Sequence, residues 1–336
     1  MKREKMHEVE NSINLTTYAV TGGAGFIGSH LCEALLKRGN RVICVDNFFT
    51  STKENIMHLF PEENFTLVEH DITEVLSVDY SLPRPDYIFH LASPASPTDF
   101  YNYPLETMLV NSSGTHNVLE WAKKSDAKFL FASTSEVYGE PKEHPQTESY
   151  WGNVNPIGPR SCYDESKRFG EALATTYSGK YDLEVAIARI FNTFGPRMRL
   201  EDGRVIPNIV SQALQDEPLT IYGDGLQTRS FCYVDDMVEG LIKLMLLETN
   251  GQVINLGNPN ETTVLSLAKK IQKMCNSNSE LKFLPLPKDD PTRRKPDITK
   301  ARNVLNWQPS VLLEEGLEKT IIWFQKNLHE EKIIFS

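Results

Sequence analysis

The stretch VTGGAGFIGSH, residues 20–30, constrains this chain more than any other. The apolar run TTYAV leads into it and FIGSHLCEALLKRG continues it, which predicts a strand, a glycine turn and a helix. Gly22, Gly25 and Gly28 form a GxxGxxG pattern. Glycines at such a junction let the chain turn tightly and bring backbone N–H groups, with the positive end of the helix, against a pyrophosphate. A glycine pattern alone describes many ordinary turns. Here Asp46 closes the next apolar run, RVICVD, about 20 residues further on, where a carboxylate accepts the two hydroxyls of a ribose. An acid there repels a 2′-phosphate, so the conjunction points to NAD rather than NADP. Asp71, at the end of FTLVEHD, is expected either to reach the adenine or to cap its own strand.

Further apolar runs, YIFHLAS, KFLFAST and EVAIARIFN, alternate with helical patterns such as LETMLVNSSGTHNVLEWAKK. That alternation predicts an α/β fold, a Rossmann-type doubly wound parallel sheet with helices on both faces. From Gly195 onward, Pro- and Gly-punctuated loops, the short strand LTIYG and helices over TVLSLAKKIQKMC and LLEEGLEKTIIWFQKNL predict a smaller C-terminal substrate-binding lobe. The expected division is a flexible leader over 1–14, an NAD-binding Rossmann domain over 15–195 plus about 227–258, and a nucleotide-sugar lobe over about 196–226 plus 259–336.

The net charge of −10, with acids spread along the chain, argues against a nucleic-acid or anionic-membrane surface. An anionic ligand must therefore meet a local cationic pocket. The five cysteines are odd in number, far apart and without CxxC spacing, which argues against a disulfide framework and a metal site and favours a cytoplasmic protein. MKREKMHEVENSIN lacks the apolar core of a signal peptide, and no apolar run approaches the roughly 20 residues that span a bilayer.

FASTSEVYG, residues 131–139, ends an apolar strand with two hydroxyls and a carboxylate, Thr134, Ser135 and Glu136. RSCYDESK sets Tyr163 and Lys167 four residues apart, one turn along the same helix face. YxxxK is common by chance and often a surface pair; after a dinucleotide fingerprint and a hydroxyl-tipped strand it reads as an acid–base pair. A phenol near pKa 10 must come down by roughly three units, about 4 kcal/mol, to act as a base at neutral pH. A nearby ammonium and a positive nicotinamide ring supply the required sign of charge.

With these residues in place, the chain resembles the extended short-chain dehydrogenase/reductase family, and within it the UDP-glucuronate decarboxylases (UDP-xylose synthases), over nearly its whole length. The resemblance is carried by TGGAGFIGSH, DNFFT, HLASPASP, STSEVYGEP, ARIFNTFGPRM, DGRV, YGDGLQTRSF and DDPTRRKPDI; the run ESYWGNVNPIGPRSCYDESKR is the most particular to the decarboxylases. It implies that Thr134 hydrogen-bonds the sugar hydroxyl being oxidised, that Tyr163 removes its proton and that C4 gives a hydride to NAD+. Lys167 would hold the nicotinamide ribose. Glu136, with Ser135 beside it, would lie at the sugar ring, while Arg160 and Arg294 frame its carboxylate and Arg294 is also a candidate to deliver the proton at C5. Asn192, Arg229 and Tyr233 would serve the uridine-diphosphate side, Arg229 as a clamp. Cofactor contacts would extend to Phe26 and Ile27 after the glycines, to Asn47, Phe49 and Thr50 after Asp46, to Ile72, and to Leu91, Ala92, Ser93 and Thr193. The resemblance further implies a homodimer through helices near residues 104–125 and 163–179.

Plainer readings stand beside these. Glu136 would be a strand-end acid held by turn amides, Arg160 a helix cap and Arg294 a surface ion pair; Tyr150 and Trp151 would only pack between lobes, and His90 would be structural. The implied reaction is internal redox catalysis: a C4 ketone lies β to the C6 carboxylate, carbon dioxide leaves, and the returning hydride gives UDP-xylose. Ser135 fits this, because glucose-type 4,6-dehydratases carry a stronger acid at that place, although mannose-type ones tolerate serine. Leu109 departs from the decarboxylase pattern, which has Lys there. It keeps open a UDP-sugar dehydratase acting on, for example, a UDP-N-acetylhexosamine, or a C4/C5 epimerase or isomerase. A catalytically idle dinucleotide sensor would tend to lose Thr134, Tyr163 or Lys167, and all three are present.

Overall fold

The structure, a computed structural model, describes residues 15–75, 82–248, 250–286 and 293–334, with side chains to residue 329. The expected leader and the first four residues of DDPTRRKPDI lie outside them. Seven strands form the central sheet: β1 (Thr17–Thr21), β2 (Arg41–Asp46), β3 (Phe65–Glu69), β4 (Tyr87–His90), β5 (Lys128–Thr134), β6 (Val185–Ile190) and Gln252–Leu256. From one edge their order is Gln252–Leu256, β6, β5, β4, β1, β2, β3, and every adjacent pair is parallel. The order reverses between β1 and β4, which opens a crevice at the carboxyl ends of the strands.

Alternate residues of a strand feed opposite faces of the sheet. On β2, Val42 and Cys44 enter one core and Ile43 and Val45 the other. Both faces are buried, which is why these strands read as nearly unbroken apolar runs. α1 (Phe26–Lys37) and the helix Val234–Met245 cover one face; α4 (Thr115–Ser125) and α5 (Ser161–Tyr181) cover the other. The first core continues through Leu241, Leu267 and Phe324 into the smaller lobe, so the two parts of the chain share one apolar interior.

After the short α2 (Pro97–Asn102), the run LETMLVNSSGTHNVLEWAKK is helical throughout: α3 (Pro104–Leu109) passes through a π turn over Val110–Gly114 into α4. The hydroxyls of Ser112 and Ser113 bond back to the carbonyls of Met108 and Leu109, and Asn111 Nδ2 bonds the Thr107 carbonyl at 2.9 Å. Such local bonds compete with regular helical pairing. The strand Thr228–Ser230, close to the expected border near residue 227, pairs with Glu261–Thr263 and Arg293–Arg294 in a small sheet.

Candidate active site

One cavity of about 770 Å³ opens at the carboxyl ends of the strands. On one side lies the glycine turn. Gly22 sits at φ +72°, and a Cβ there would come within 2.7 Å of Ala92 N; a Cβ on Gly28 would come within 2.1 Å of the Gly22 carbonyl. Gly25 caps α1 with no side-chain hydrogen bond, so the first N–H groups of that helix are left to the cavity, which Gly25, Phe26, Ile27 and Gly28 line. Asp46 is locked by Ala24 N at 2.9 Å, Phe48 N at 2.9 Å and Ser51 Oγ at 2.7 Å. Asp71 accepts from Thr73 N at 2.8 Å and from Asn47 Nδ2 at 2.9 Å, so it lines the cavity and also closes its own turn. Phe49, Thr50, Ile72, Leu91, Ala92, Ser93 and Thr193 complete this wall. A cradle that added methyl groups would fill, beside an acid at the end of β2, fits the pyrophosphate and ribose of NAD.

Tyr163 lies in the first turn of α5, buried, with its ring stacked on Phe100 at 5.2 Å and 10°. Lys167, one turn on, donates to the Ala132 carbonyl at 3.0 Å, and its Nζ lies 5.9 Å from the Tyr163 ring centroid. Burial pushes the Lys167 ammonium down to about 7. Burial likewise pushes the Tyr163 phenol up to about 12, against the pull of its contact with Thr134. The chain by itself therefore holds the phenol above its ordinary value, the reverse of the lowering expected from sequence, because a buried site disfavours the phenolate more than its own cations favour it. His90 bonds Thr21 Oγ1 at 2.7 Å and Thr115 Oγ1 at 3.0 Å, and burial pushes it down to about 3, a neutral structural ring.

Glu136 is the second residue of the turn Ser135–Tyr138 that follows β5. Arg160 Nη2 reaches it at 2.6 Å and Arg294 Nη2 at 3.3 Å. Burial alone would raise the Glu136 carboxyl, but Arg294 and then Arg160 outweigh it and hold the group near 2. Arg294 is only 1% exposed, also donates to the Ser135 carbonyl, and keeps a buried Nε with no hydrogen-bond partner. It is no surface pair. Arg160 precedes α5, but its side chain goes to Glu136 and over the Phe100 ring at 5.4 Å rather than to the helix end. Thr134, Ser135, Asn192 and Arg229 line the same cavity, and Arg229 Nη1 also donates to the Thr228 carbonyl at 2.9 Å.

Tyr233 does not line it. The residue caps the helix Val234–Met245, with its ring 5.7 Å from Phe194 and 5.3 Å from Lys319 Nζ in the apolar interior; Phe231 faces the cavity instead. Tyr150 stacks on Tyr138 at 6.0 Å, whereas Trp151 is 88% exposed and packs nothing between lobes. Leu109 lines the cavity but is 53% exposed, at its rim.

Other residues at the site drew no role from the sequence. In GPRMRLEDGRV, Arg204 forks onto Asp202, with Nη2 at 2.7 Å, and Arg199 pairs with Asp99; all four line the cavity. Arginines spaced among acids were a usable signal, but irregular loops have no period from which to place them. Asn111 and Phe100 were hidden by an assumed regular helix and a short one. Asp164 sits beside Tyr163, where the YxxxK pattern drew attention away.

The signature of the GDP-mannose 4,6 dehydratase family matches residues 19–320. The chain is 53% identical over 309 residues to UDP-glucuronic acid decarboxylase 4 of Arabidopsis thaliana, covering 92% of this chain and 68% of that protein. It is 52% identical over 312 residues to UDP-glucuronic acid decarboxylase 1 of Xenopus tropicalis, covering 93% and 73%. Among solved structures, the UDP-glucuronic acid 4-epimerase of Bacillus cereus in complex with UDP-glucuronic acid and NAD aligns with TM-score 0.83 and 33% identity over 93% of this chain and 100% of that one.

Proposed function

The chain belongs to the GDP-mannose 4,6 dehydratase family of nucleotide-sugar enzymes, and from that premise we propose that it is an NAD-dependent UDP-glucuronate decarboxylase that forms UDP-xylose through a UDP-4-keto intermediate. The observation that carries this reading is the pairing of Arg160 and Arg294 around Glu136 in the cavity that also holds Tyr163. The buried Nε of Arg294 has no hydrogen-bond partner and needs an acceptor, which a sugar carboxylate in the cavity supplies.

Bound NAD supplies a reversible hydride acceptor at C4 of the sugar. Tyr163 takes the proton of the C4 hydroxyl while Thr134 holds that oxygen by a hydrogen bond. Lys167 would hold the nicotinamide ribose. The cation that brings the phenol down from about 12 arrives with the cofactor, so proton abstraction waits for a loaded site. Once C4 is a ketone, carbon dioxide leaves from C5 and the electron pair collects on the C4 oxygen. Tyr163, now protonated, and Thr134 donate to that oxyanion. Ser135 and Glu136 lie at the ring, and a proton from solvent reaches C5 beside Arg294, whose guanidinium stays protonated; return of the hydride to C4, with the Tyr163 proton to its oxygen, then gives UDP-xylose. Asn192 and Arg229 hold the uridine diphosphate.

The NAD-binding part comprises residues 15–195 and about 227–258, and the nucleotide-sugar lobe about 196–226 and 259–336, with Thr228–Ser230 at the border bridging to the lobe through its pairing with Glu261–Thr263. A homodimer through α3, α4 and α5 is supported by Leu105, Met108 and Phe169, which are exposed there. Analytical ultracentrifugation should give twice the chain mass, and Phe169→Glu should halve it. The five free cysteines support a cytoplasmic setting, and among the described residues no helix is long and apolar enough to cross a membrane.

Leu109 favours a second reading, an uncharged UDP-sugar handled by dehydration or epimerisation. It stands at the rim, however, and Arg160 and Arg294 still supply two cations. Incubation with UDP-glucuronate and, separately, UDP-N-acetylglucosamine distinguishes the readings by product mass. Loss of carbon dioxide from the first is the expected result; loss of water from the second, with the first unchanged, overturns it.

A further inference from the structure

Arg294 reaches the sugar site from a very short strand. Arg293–Arg294 pairs in parallel with Thr228–Arg229, and two residues are fewer than a strand usually needs to hold its own register. A firmer hold comes one residue later, from Gln146 in the loop before α5. Gln146 is 0% exposed and forms a parallel bridge with Pro296. Its N–H donates to the Lys295 carbonyl at 2.9 Å, and its carbonyl accepts from Asp297 N at 2.8 Å. That bridge leaves the Lys295 N–H to the Gln146 side chain: Oε1 accepts it at 2.9 Å, while Nε2 donates to the Glu143 carbonyl at 2.7 Å. Asn255 Nδ2, from the edge strand Gln252–Leu256 of the central sheet, also donates to the Gln146 carbonyl, at 3.0 Å. Two further side-chain ties to the segment are longer. Ser230 Oγ lies 3.4 Å from the Arg294 carbonyl and Lys295 Nζ 3.6 Å from Glu261.

We propose that Gln146 is a positioning residue for Arg294: by holding the Lys295 N–H it keeps the guanidinium aimed at the sugar carboxylate, and so sets the preference for UDP-glucuronate over an uncharged UDP-pentose. The proposal rests on the reading of UDP-glucuronate as substrate. Gln146 does not line the cavity, so it acts through Arg294. The guanidinium already donates to the Ser135 carbonyl and reaches Glu136 at 3.3 Å, which leaves its buried Nε for a ligand. Contacts in three directions from one planar group leave little freedom. A backbone shift at residue 294 moves all of them together, and a misplacement of about 1 Å in such a site can cost roughly 10²-fold. Glutamine suits the post because it accepts and donates at once; methionine matches its length but lacks the strong acceptor and the donor.

The test measures affinity for UDP-glucuronate and UDP-xylose by titration calorimetry on NAD-loaded Tyr163→Phe protein, in which turnover is blocked. UDP-xylose carries the same uridine diphosphate without the acid. Adding Gln146→Met should weaken UDP-glucuronate roughly tenfold and UDP-xylose less than about twofold. In an Arg294→Ala background the same change should leave the ratio of the two affinities where it was, since the residue through which it acts is gone. Equal weakening of both ligands, or a change of ratio that persists without Arg294, overturns the proposal. Hydrogen exchange keeps it open to refutation even if Gln146→Met does not fold. Because coupling is reciprocal, saturating UDP-glucuronate should slow exchange of the Lys295 amide in the Tyr163→Phe protein more than saturating UDP-xylose does. Equal slowing by the two ligands overturns the proposal. Failure of the wild type to release carbon dioxide from UDP-glucuronate overturns the functional reading instead. Decarboxylation by the wild type, with discrimination unchanged by Gln146→Met, removes only the role of Gln146.

Discussion

The two halves of the cavity are built from different material. The cofactor wall is mostly backbone: one glycine turn, one helix end and the tips of neighbouring strands, drawn largely from the first hundred residues. The sugar wall is mostly charged side chains, Glu136, Arg160, Arg229 and Arg294, from four separated elements. A backbone site depends on clearance and tolerates changes of charge around it; a side-chain site depends on charge balance and tolerates small changes of volume. Tyr163 stands between them and answers to both.

The largest expected effect falls at that junction. Tyr163→Phe removes the proton acceptor and should lower the rate of carbon dioxide release by roughly 10²–10⁴-fold, without abolishing UDP-glucuronate binding. A loss of binding equal to the loss of rate would show that the ring serves packing on Phe100 rather than proton transfer.

On the sugar wall, Arg294→Ala leaves Glu136 buried with one cation fewer. It should lower kcat/KM for UDP-glucuronate on the order of 10²-fold, with a much smaller effect on UDP-xylose binding. Equal losses for both ligands would remove Arg294 from carboxylate recognition. The cofactor wall should respond to a single methyl group. Gly28→Ala places a Cβ within 2.1 Å of the Gly22 carbonyl, and unfolding in denaturant should report a loss of about 1–3 kcal/mol together with weakened NAD binding. An unchanged midpoint and NAD affinity would show the cradle to be looser than its geometry.

The smallest effect concerns pH and divides the charged half internally. Asp164, raised to about 8 by burial and then by Glu136, holds a proton that an unfolded aspartate gives up near pH 4; its presence therefore lowers stability progressively as pH rises between those values. Asp164→Asn should raise the melting temperature over the wild type, by a margin that grows from pH 4 to 8. Glu136 has the opposite sign: held near 2, it contributes stability present above its unfolded value and lost as pH falls from about 4 toward 2. Parallel melting curves for the wild type and Asp164→Asn across this range would show Asp164 to be ordinary in the folded chain.

Legibility followed the same division. The glycines, Asp46 and six of the seven parallel strands, all but Gln252–Leu256, could be read because strand alternation, helical period and the turn between them are short-range patterns, and the doubly wound sheet follows from them. Tyr163 and Lys167 could be paired for the same reason, being one turn apart. Tyr233 was misplaced because its ring direction depends on where the chain enters the helix Val234–Met245, which the residue types of YGDGLQTRSF do not state. The π turn between α3 and α4 was invisible because serine and asparagine bonding to nearby carbonyls alters a helix locally.

By itself, the sequence determined the layered sheet, the dinucleotide turn and the placing of Tyr163 and Lys167 on one helix face, since each depends on residues within a few turns of one another. Only the tertiary structure decided that Arg294 is buried rather than solvated, that Arg160 and Arg294 share Glu136, that the Tyr163 phenol is held high before the cofactor arrives, and that Asp164 has a buried oxygen without a partner. Charge and solvation depend on what long-range folding brings within a few ångströms, and on how much water it leaves there.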